Sequence, residues 1–264
     1  MNWDLWVKTW SAHAEMPSFR ERVRRAMAIA RDGATRGRLY VSLSGGKDSV
    51  AMSGLLNEAG IAPHAVVHAH CSLNLPESME VCERTVQMLD RFPPLDVVEP
   101  QEDAWDLLAR VPAGDISAEP LRSVLGRQCA AGNLLVQYCY ETKLDGAFIG
   151  LRRDESKGRR ANAMARGPIY RNVIDEKWTV LPIVWWSATD VWAFLVSRGL
   201  PIHPYYQRAV DELGLDPATL RVDWLFAPAY VSAQHGAMVT MRRLYPSHWR
   251  RLLLVRPDIE QYVP

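Results

Sequence analysis

The chain has 264 residues, of which 48% are hydrophobic and 23% charged, with a formal net charge of +1. That length suits one large α/β domain with a small appendage, and the near-neutral charge makes no case for the whole surface binding nucleic acid or membrane. No apolar run reaches the roughly 18 residues needed to cross a bilayer, and the N-terminus MNWDLWVKTW lacks the apolar centre of a signal peptide, so the expected location is the cytoplasm.

In chain order, Trp3 to Ala14 and Ser18 to Ile29 have amphipathic helical spacing and are separated by Pro17. They form an N-terminal extension, residues 1–36, suited to packing on the core domain or to supporting a homodimer. Arg38 to Leu43 is a short apolar strand, broken by Gly45-Gly46, and Asp48 onward is helical up to Gly60. His64 to Ala69 reads as a second strand, Pro76 to Leu89 as a helix, and Leu95 to Val98 as a third strand. Asp103 to Arg110 is a short helix, Glu119 to Thr142 a long one, and Ala147 to Leu151 a fourth strand. Trp178 to Ile183 is a fifth, followed by a helix from Ala188 to Ser197 that stops at Gly199. Leu200 to Pro228 is rich in proline, tyrosine and turn signals, and Tyr230 to Tyr245 and Ser247 to Val255 look helical. The domain plan is therefore 1–36, an α/β domain over 37–206, and a helical C-terminal region over 207–264 packed on it.

Strands alternating with helices imply a doubly wound parallel sheet covered on both faces. Ligands of such sheets bind at the carboxyl ends of the strands. The loop Ser44-Gly45-Gly46-Lys47-Asp48-Ser49 lies there, between a strand and a helix. Two glycines let successive N–H groups point into one concavity, and the helix start adds partial positive charge. Lys47 supplies a full charge, Ser42, Ser44 and Ser49 supply hydroxyls, and Asp48 is placed to cap the helix or hold Mg2+. The assembly suits a polyphosphate, although it is neither the GxxxxGK[ST] nor the GxGxxG pattern.

The charges elsewhere are unevenly spread. Arg20 to Arg25 reads as a solvated helix face, and Arg152 to Arg160 as either an anion clamp or an exposed mixed-charge loop. The cysteines Cys71, Cys82, Cys129 and Cys139 form no CxxC pair and read as reduced thiols, with neither a disulfide framework nor structural zinc. His68 and His70 alternate along one strand and so share a face, which is a thin basis for a metal pair. Cys71 is either a reactive thiol or a small buried residue.

The string SLSGGKDS resembles the PP-loop of the N-type ATP pyrophosphatases, and the similarity is to the phosphoadenosine phosphosulfate (PAPS) reductase branch. HCSLNLPES (70–78), GLRRDES (150–156), LPIVWWSATDVWAF (181–194) and LPIHPYY (200–206) resemble further segments of that family, in the family's order. The resemblance implies a five-stranded parallel sheet of order 3-2-1-4-5, of the adenine nucleotide alpha hydrolase type. It implies that Ser42, Ser44, Gly45, Gly46, Lys47, Asp48 and Ser49 surround phosphates. It also implies that His70 lies near the adenosine and that Gly150, Arg152 and Glu155 flank the substrate, with Arg153, Arg159 and Arg160 beside them.

The chain departs from the family where reductase chemistry resides. Family reductases resemble one another in a C-terminal catalytic cysteine, whereas no cysteine follows Cys139 here. LYPSHW (244–249) resembles the tail that follows a cysteine pair in related members, but RVDWLF (221–226) has no cysteine, and an iron–sulfur cluster is not expected. The first reading is an enzyme that cleaves ATP at the α–β bond and adenylylates an unknown acceptor, in sulfur-related or nucleic-acid modification chemistry. Lys47, Asp48 and Arg152 would be catalytic, with Mg2+ offsetting charge. The alternatives are a PAPS-using reductase or sulfotransferase-like enzyme, and a non-catalytic nucleotide-binding module serving a protein or nucleic acid. In the last, Tyr205, Tyr206, Trp224 and the arginines would form the stacking surface.

Overall fold

The computed structural model describes residues 2–110, 131–173, 175–222 and 237–262. Its centre is a sheet of order β3-β2-β1-β4-β6-β5. The strands are β1 (Leu39–Ser42), β2 (Ala65–Ala69), β3 (Leu95–Val98), β4 (Gly146–Phe148), β5 (Ile169–Arg171) and β6 (Trp178–Val180). The first four and β6 run parallel, in the expected order, with Val41 opposite both Val66 and Phe148. The sheet is wider than the five strands the sequence led us to expect. A sixth strand, β5, pairs antiparallel with β6 at the edge, Tyr170 opposite Thr179.

Period-two alternation decides the two faces. On β1, Leu39 and Val41 enter the larger core while Tyr40 enters the opposite one; Val66 and Phe148 follow the first pair, and Val67 and Ala147 follow Tyr40. Both faces are apolar, as a parallel sheet covered by helices requires.

The larger face is covered by α1 (Trp3–Ala14), α2 (Pro17–Ala34), α3 (Lys47–Glu58) and α8 (Ala188–Arg198). α2 runs five residues beyond the expected Ile29, and Pro17 occupies its first turn, where a missing N–H costs nothing. The opposite face is covered by α6 (Ala131–Glu141), which contributes Leu135 and Cys139. The start expected for this helix, at Glu119, lies outside the described residues, as does the part of the expected Tyr230 to Tyr245 helix over 230–236. The remaining helices are α4 (Ser78–Met88), α5 (Ala104–Ala109), α7 (Lys157–Arg166), α9 (Pro204–Leu213), α10 (Ala237–Leu244) and α11 (Pro246–Val255). Two of these correct the sequence reading. Arg152 to Arg160 is not a loop but a 3-10 turn (Arg153–Glu155) leading into α7, and the supposed turn-rich stretch after Leu200 contains the amphipathic α9. No helix among the described residues is long and apolar enough to cross a membrane.

The N-terminal extension is bound to the core at two points. Trp10 stacks on Trp192 of α8 with centroids 4.8 Å apart, and Trp192 meets Tyr206 of α9 edge-on at 5.0 Å. The second is Asp190, buried at the start of α8. Its Oδ1 accepts from His13 Nε2 at 2.8 Å and Arg22 Nε at 2.9 Å, while its Oδ2 accepts from the Ser187 amide and hydroxyl at 2.9 and 2.8 Å. Burial alone would raise this carboxyl's pKa, but the hydrogen bonds from His13, Ser187 and Arg22 outweigh burial and hold it below the ordinary carboxylate range. A depressed acid stabilises the fold above its unfolded pKa, and that stability is lost as pH falls through the folded value. Asp190→Ala, which orphans His13 and Arg22, is expected to cost about 3 to 5 kcal/mol in urea denaturation at pH 7. The wild-type advantage should shrink as pH falls below about 4; an undiminished gap at pH 3 would show that Asp190 is not the titrating group.

Candidate functional site

The loop after β1 turns at Gly45, whose φ is +75°. A Cβ there would also sit 2.8 Å from the Ser78 carbonyl oxygen of α4, so backbone strain and crowding both require glycine. Gly46 has extended backbone and caps α3 without a side chain. Ser44 and Ser49 hydroxyls lie 3.0 Å apart, Ser49 Oγ receives the Ser44 amide at 3.2 Å and donates to the Gly46 carbonyl at 2.9 Å. The amides of Gly45, Asp48 and Ser49 have no hydrogen bond among the described residues. The last two belong to the first turn of α3, where helix geometry leaves N–H groups open and the macrodipole adds positive charge. Three open amides around a two-serine turn form a cradle fitted to phosphate.

Beneath the cradle is a buried charge cluster. Lys47 is 3% exposed, and its Nζ donates to the Leu220 carbonyl at 2.6 Å and lies 3.3 Å from Asp48 Oδ2. Arg152, 4% exposed, places Nε 2.5 Å from Asp48 Oδ1. For Asp48, burial opposes ionisation but the cations Lys47 and Arg152 outweigh it and keep the carboxyl below its ordinary range. For Lys47, burial dominates and lowers the ammonium pKa, with Asp48 opposing. Two cations share one carboxylate, so the floor of the cradle carries surplus positive charge. Both Asp48 oxygens are engaged by cations, Oδ2 by Lys47 and Oδ1 by Arg152. Among the described residues no group of three or more His, Cys, Asp and Glu side chains is placed to hold a metal ion.

Distant elements fix these positions. The Tyr206 hydroxyl accepts from the Lys47 amide at 3.1 Å, and its ring lies 5.6 Å from Nζ. Burial pushes the Tyr206 phenol well above its ordinary pKa, so it stays protonated. The segment ending at Val222 runs over Gly46, whose Cβ would meet Val222 Cγ2 at 3.2 Å. At the β4 exit, Gly150 touches α3 so closely that a Cβ would be 2.7 Å from the Asp48 carbonyl oxygen. Glu155 Oε2 accepts the Arg152 amide at 2.9 Å and pairs with Arg159, while Arg221 donates to its carbonyl at 3.1 Å.

The sequence-derived residues thus fall into three groups. Ser44, Gly45, Gly46, Lys47, Asp48, Ser49, Gly150, Arg152 and Glu155 converge on one place, with Ser42 ending β1 just below it. His70 directly follows β2, half-buried, with Nδ1 unpartnered, and its ring is 5.8 Å from that of His68. His68 is buried under the loop, its Nδ1 2.9 Å from the Leu43 carbonyl oxygen, and burial lowers its pKa. Cys71, Cys82 and Cys139 are buried free thiols, whereas Cys129 and Trp224 lie outside the described residues. Tyr205 and Tyr206 belong to the core rather than to a stacking surface. Sequence reasoning gave Tyr206 only a place in a stacking surface and gave Leu220 no role. Tyr206 falls within LPIHPYY, which flagged the stretch; a backbone carbonyl such as that of Leu220 carries no sequence signal.

Comparison with known proteins gives this geometry a context. Residues 38–221 match the family model described as the phosphoadenosine phosphosulfate reductase domain. The phosphoadenosine 5'-phosphosulfate reductase of Xanthomonas euvesicatoria pv. vesicatoria (strain 85-10) is 36% identical over 67 residues, 25% of each chain. Sulfate adenylyltransferase subunit 2 of Mycobacterium sp. (strain KMS) is 27% identical over 212 residues, 64% of each chain. The matches thus span from a quarter to just under two thirds of these relatives' lengths. Among solved structures, PAPS reductase from Candida auris in a phosphate complex superposes with a TM-score of 0.53 at 12% identity, covering 72% of this chain and 85% of that one, a likeness of fold.

Two glycines separate the site from its surroundings. Gly150→Ala should destabilise the protein by about 1 to 3 kcal/mol, because α3 backbone must move. Gly158→Ala, in α7 with nothing within 4 Å of the new methyl, should stabilise it by about 0.5 to 1 kcal/mol. Thermal melts of the two variants check the pair, and equal effects would contradict the close approach at Gly150.

Proposed function

The chain belongs to the phosphoadenosine phosphosulfate reductase domain family, and we propose that it binds ATP in the Ser44–Ser49 cradle and transfers the adenylyl group to an acceptor. The observation that carries this reading is the set of three open amides above the Lys47–Asp48–Arg152 cluster. An acceptor oxygen attacks the α-phosphorus, the Pα–O–Pβ bond breaks, and pyrophosphate leaves with the negative charge. The cradle amides and the start of α3 are aimed where that charge accumulates, and being fixed in advance they cost no reorganisation during reaction. Asp48 positions Lys47 and Arg152 beneath the phosphates. The partial likeness to a protein named sulfate adenylyltransferase supports the same reaction class.

The relatives named PAPS reductase favour a second reading, in which the nucleotide carries sulfate and a thiolate attacks its sulfur. That step needs an accessible thiol. The segment 204–222, which reaches the cradle, contains no cysteine, and Cys71, Cys82 and Cys139 are buried. Burial also pushes the Cys82 thiol far above its ordinary pKa, away from the reactive thiolate. Among the described residues no exposed thiol reaches the cradle, and adenylyl transfer fits the described site better.

ATP–pyrophosphate exchange and AMP release, assayed across candidate acceptors, test the proposal. Lys47→Ala should lower exchange at least 100-fold, within the range for loss of a charge-stabilising group. Tyr206→Phe, which removes one hydrogen bond to the loop and little else, should lower it roughly fivefold. Exchange that survives Lys47→Ala would sink the reading, and thioredoxin-dependent sulfite release from PAPS would replace it with the second.

A further inference from the structure

We propose that α7 and its flanks form a docking surface for a single nucleic-acid strand laid beside the cradle. Between residues 152 and 171 there are seven basic and two acidic side chains, in a chain whose overall charge is +1. Only Arg152 of the seven is turned inward, onto Asp48. Ala163 is the buried residue of α7, so the rest of the helix faces outward or sits at the boundary. Its solvent side reads Lys157, Arg160, Ala161 and Met164, with Gly158 and Ala165 beside them and Arg166 closing the helix. Small residues between cations allow a backbone to approach closely.

The ion pairs at this surface join Arg153 and Arg160 to Asp154 and Arg159 to Glu155. Lys157 and Arg166 have no carboxylate partner among the described residues. From Lys157 to Arg166 the helix rises about 14 Å, and its turn of about 100° per residue sets the two side chains on opposite sides, so a strand meeting both crosses the helix over about four nucleotides at 3.4 Å each. Aromatic rings lie under the arginines at both ends. Arg153 is 5.1 Å from the centroid of Trp185, and Arg166 is 5.2 Å from that of Tyr170, whose hydroxyl is held by Asn162 at 3.2 Å. Trp185 and Tyr170 are half-buried and pack on the small core formed by Ala163, Leu181 and Val184, so both are rigid platforms. Lys157 between two fixed arginine–aromatic stacks matches a strand with phosphates and stackable bases. An acidic protein would use the cations and leave the stacks without purpose.

The start of α7 is tied to the cradle by internal contacts, Arg152 on Asp48 and Glu155 on both the Arg152 amide and Arg159. The strand is then the acceptor of the adenylyl group, a role that rests on the reading above; strand binding itself does not.

Fluorescence anisotropy with labelled 20-nucleotide single-stranded RNA and DNA, on the full chain, tests this. Binding should weaken roughly 20- to 50-fold between 50 and 200 mM salt, as neutralising three or four phosphates requires. The double variant Lys157→Ala/Arg166→Ala should reduce the log–log salt slope by about 1.4. Ala161→Glu, which adds a negative charge mid-surface on an exposed helical position, should weaken binding at least tenfold. The RNA and DNA arms identify which strand is preferred. No binding at 50 mM salt overturns the proposal, as does binding unchanged in both variants, and polyglutamate competing as well as either strand would assign the surface to an acidic protein. ATP titration of the same samples keeps the two questions separate: wild type that binds a strand but no ATP defeats the adenylyl-transfer reading and leaves this one standing.

Discussion

The site depends on one half-buried carboxylate held between two buried cations. Asp48 sits in the first turn of α3 with Lys47 on one oxygen and Arg152 on the other. Removing three charges from water costs several kcal/mol per ion before any attraction is counted, so this cluster is a poor device for stability alone. It is effective as a constraint. Breaking a buried pair by deleting one partner costs about 3 to 5 kcal/mol, and each partner here belongs to a different part of the chain. Lys47 also bonds the Leu220 carbonyl, and Arg152 begins the turn after β4. The loop, the β4 exit and the C-terminal segment are therefore held in one geometry by a carboxylate that itself touches no solvent-facing ligand.

The N-terminal helices contribute to the same geometry without touching it. Trp10 stacks on Trp192, Trp192 abuts Tyr206, and the Tyr206 hydroxyl receives the Lys47 amide. Large aromatic rings at these distances are rigid neighbours, since close-packed interiors transmit small displacements rather than absorbing them. The Asp190 cluster holds α1 and α2 against α8 at the other end. Through these contacts the extension serves as the outer wall that keeps α8 and α9, and hence Tyr206, in place beside the cradle.

Much of this was legible in the sequence because it is written in local patterns. The apolar strands, the glycine break at 45–46, the helix stops at Gly60 and Gly199 and the order of the later motifs all lie in short contiguous stretches. What was not legible has physical reasons. β5 is three residues long and half-exposed, below the length at which alternation declares itself. α7 buries a single residue, so its charges concealed a helix without an apolar stripe. α9 opens with Pro204 and two tyrosines, which read as turn signals although proline is at home in a first helical turn. The burial of Lys47 was not legible because nothing near it in sequence announces Tyr206 and Leu220, which lie 159 and 173 residues away.

Glu155 explains how seven basic residues serve two different environments. Its carboxylate accepts the amide of Arg152, three residues earlier, closing the 3-10 turn, and also pairs with Arg159 on α7 and lies 3.6 Å from Arg221. The closed turn points Arg152 inward to Asp48 and sends Arg153 outward over Trp185. Adjacent arginines are thereby divided between a dry cluster, where charge acts strongly at short range, and a wet surface, where it acts weakly and is screened by salt. Glutamate is specific for this task, since an amide would lack the charge to hold Arg159 and Arg221, and aspartate would not reach back to the amide of residue 152. The inward guanidinium is fixed before any ligand arrives, while the outward ones sit in exposed pairs that salt and solvent loosen.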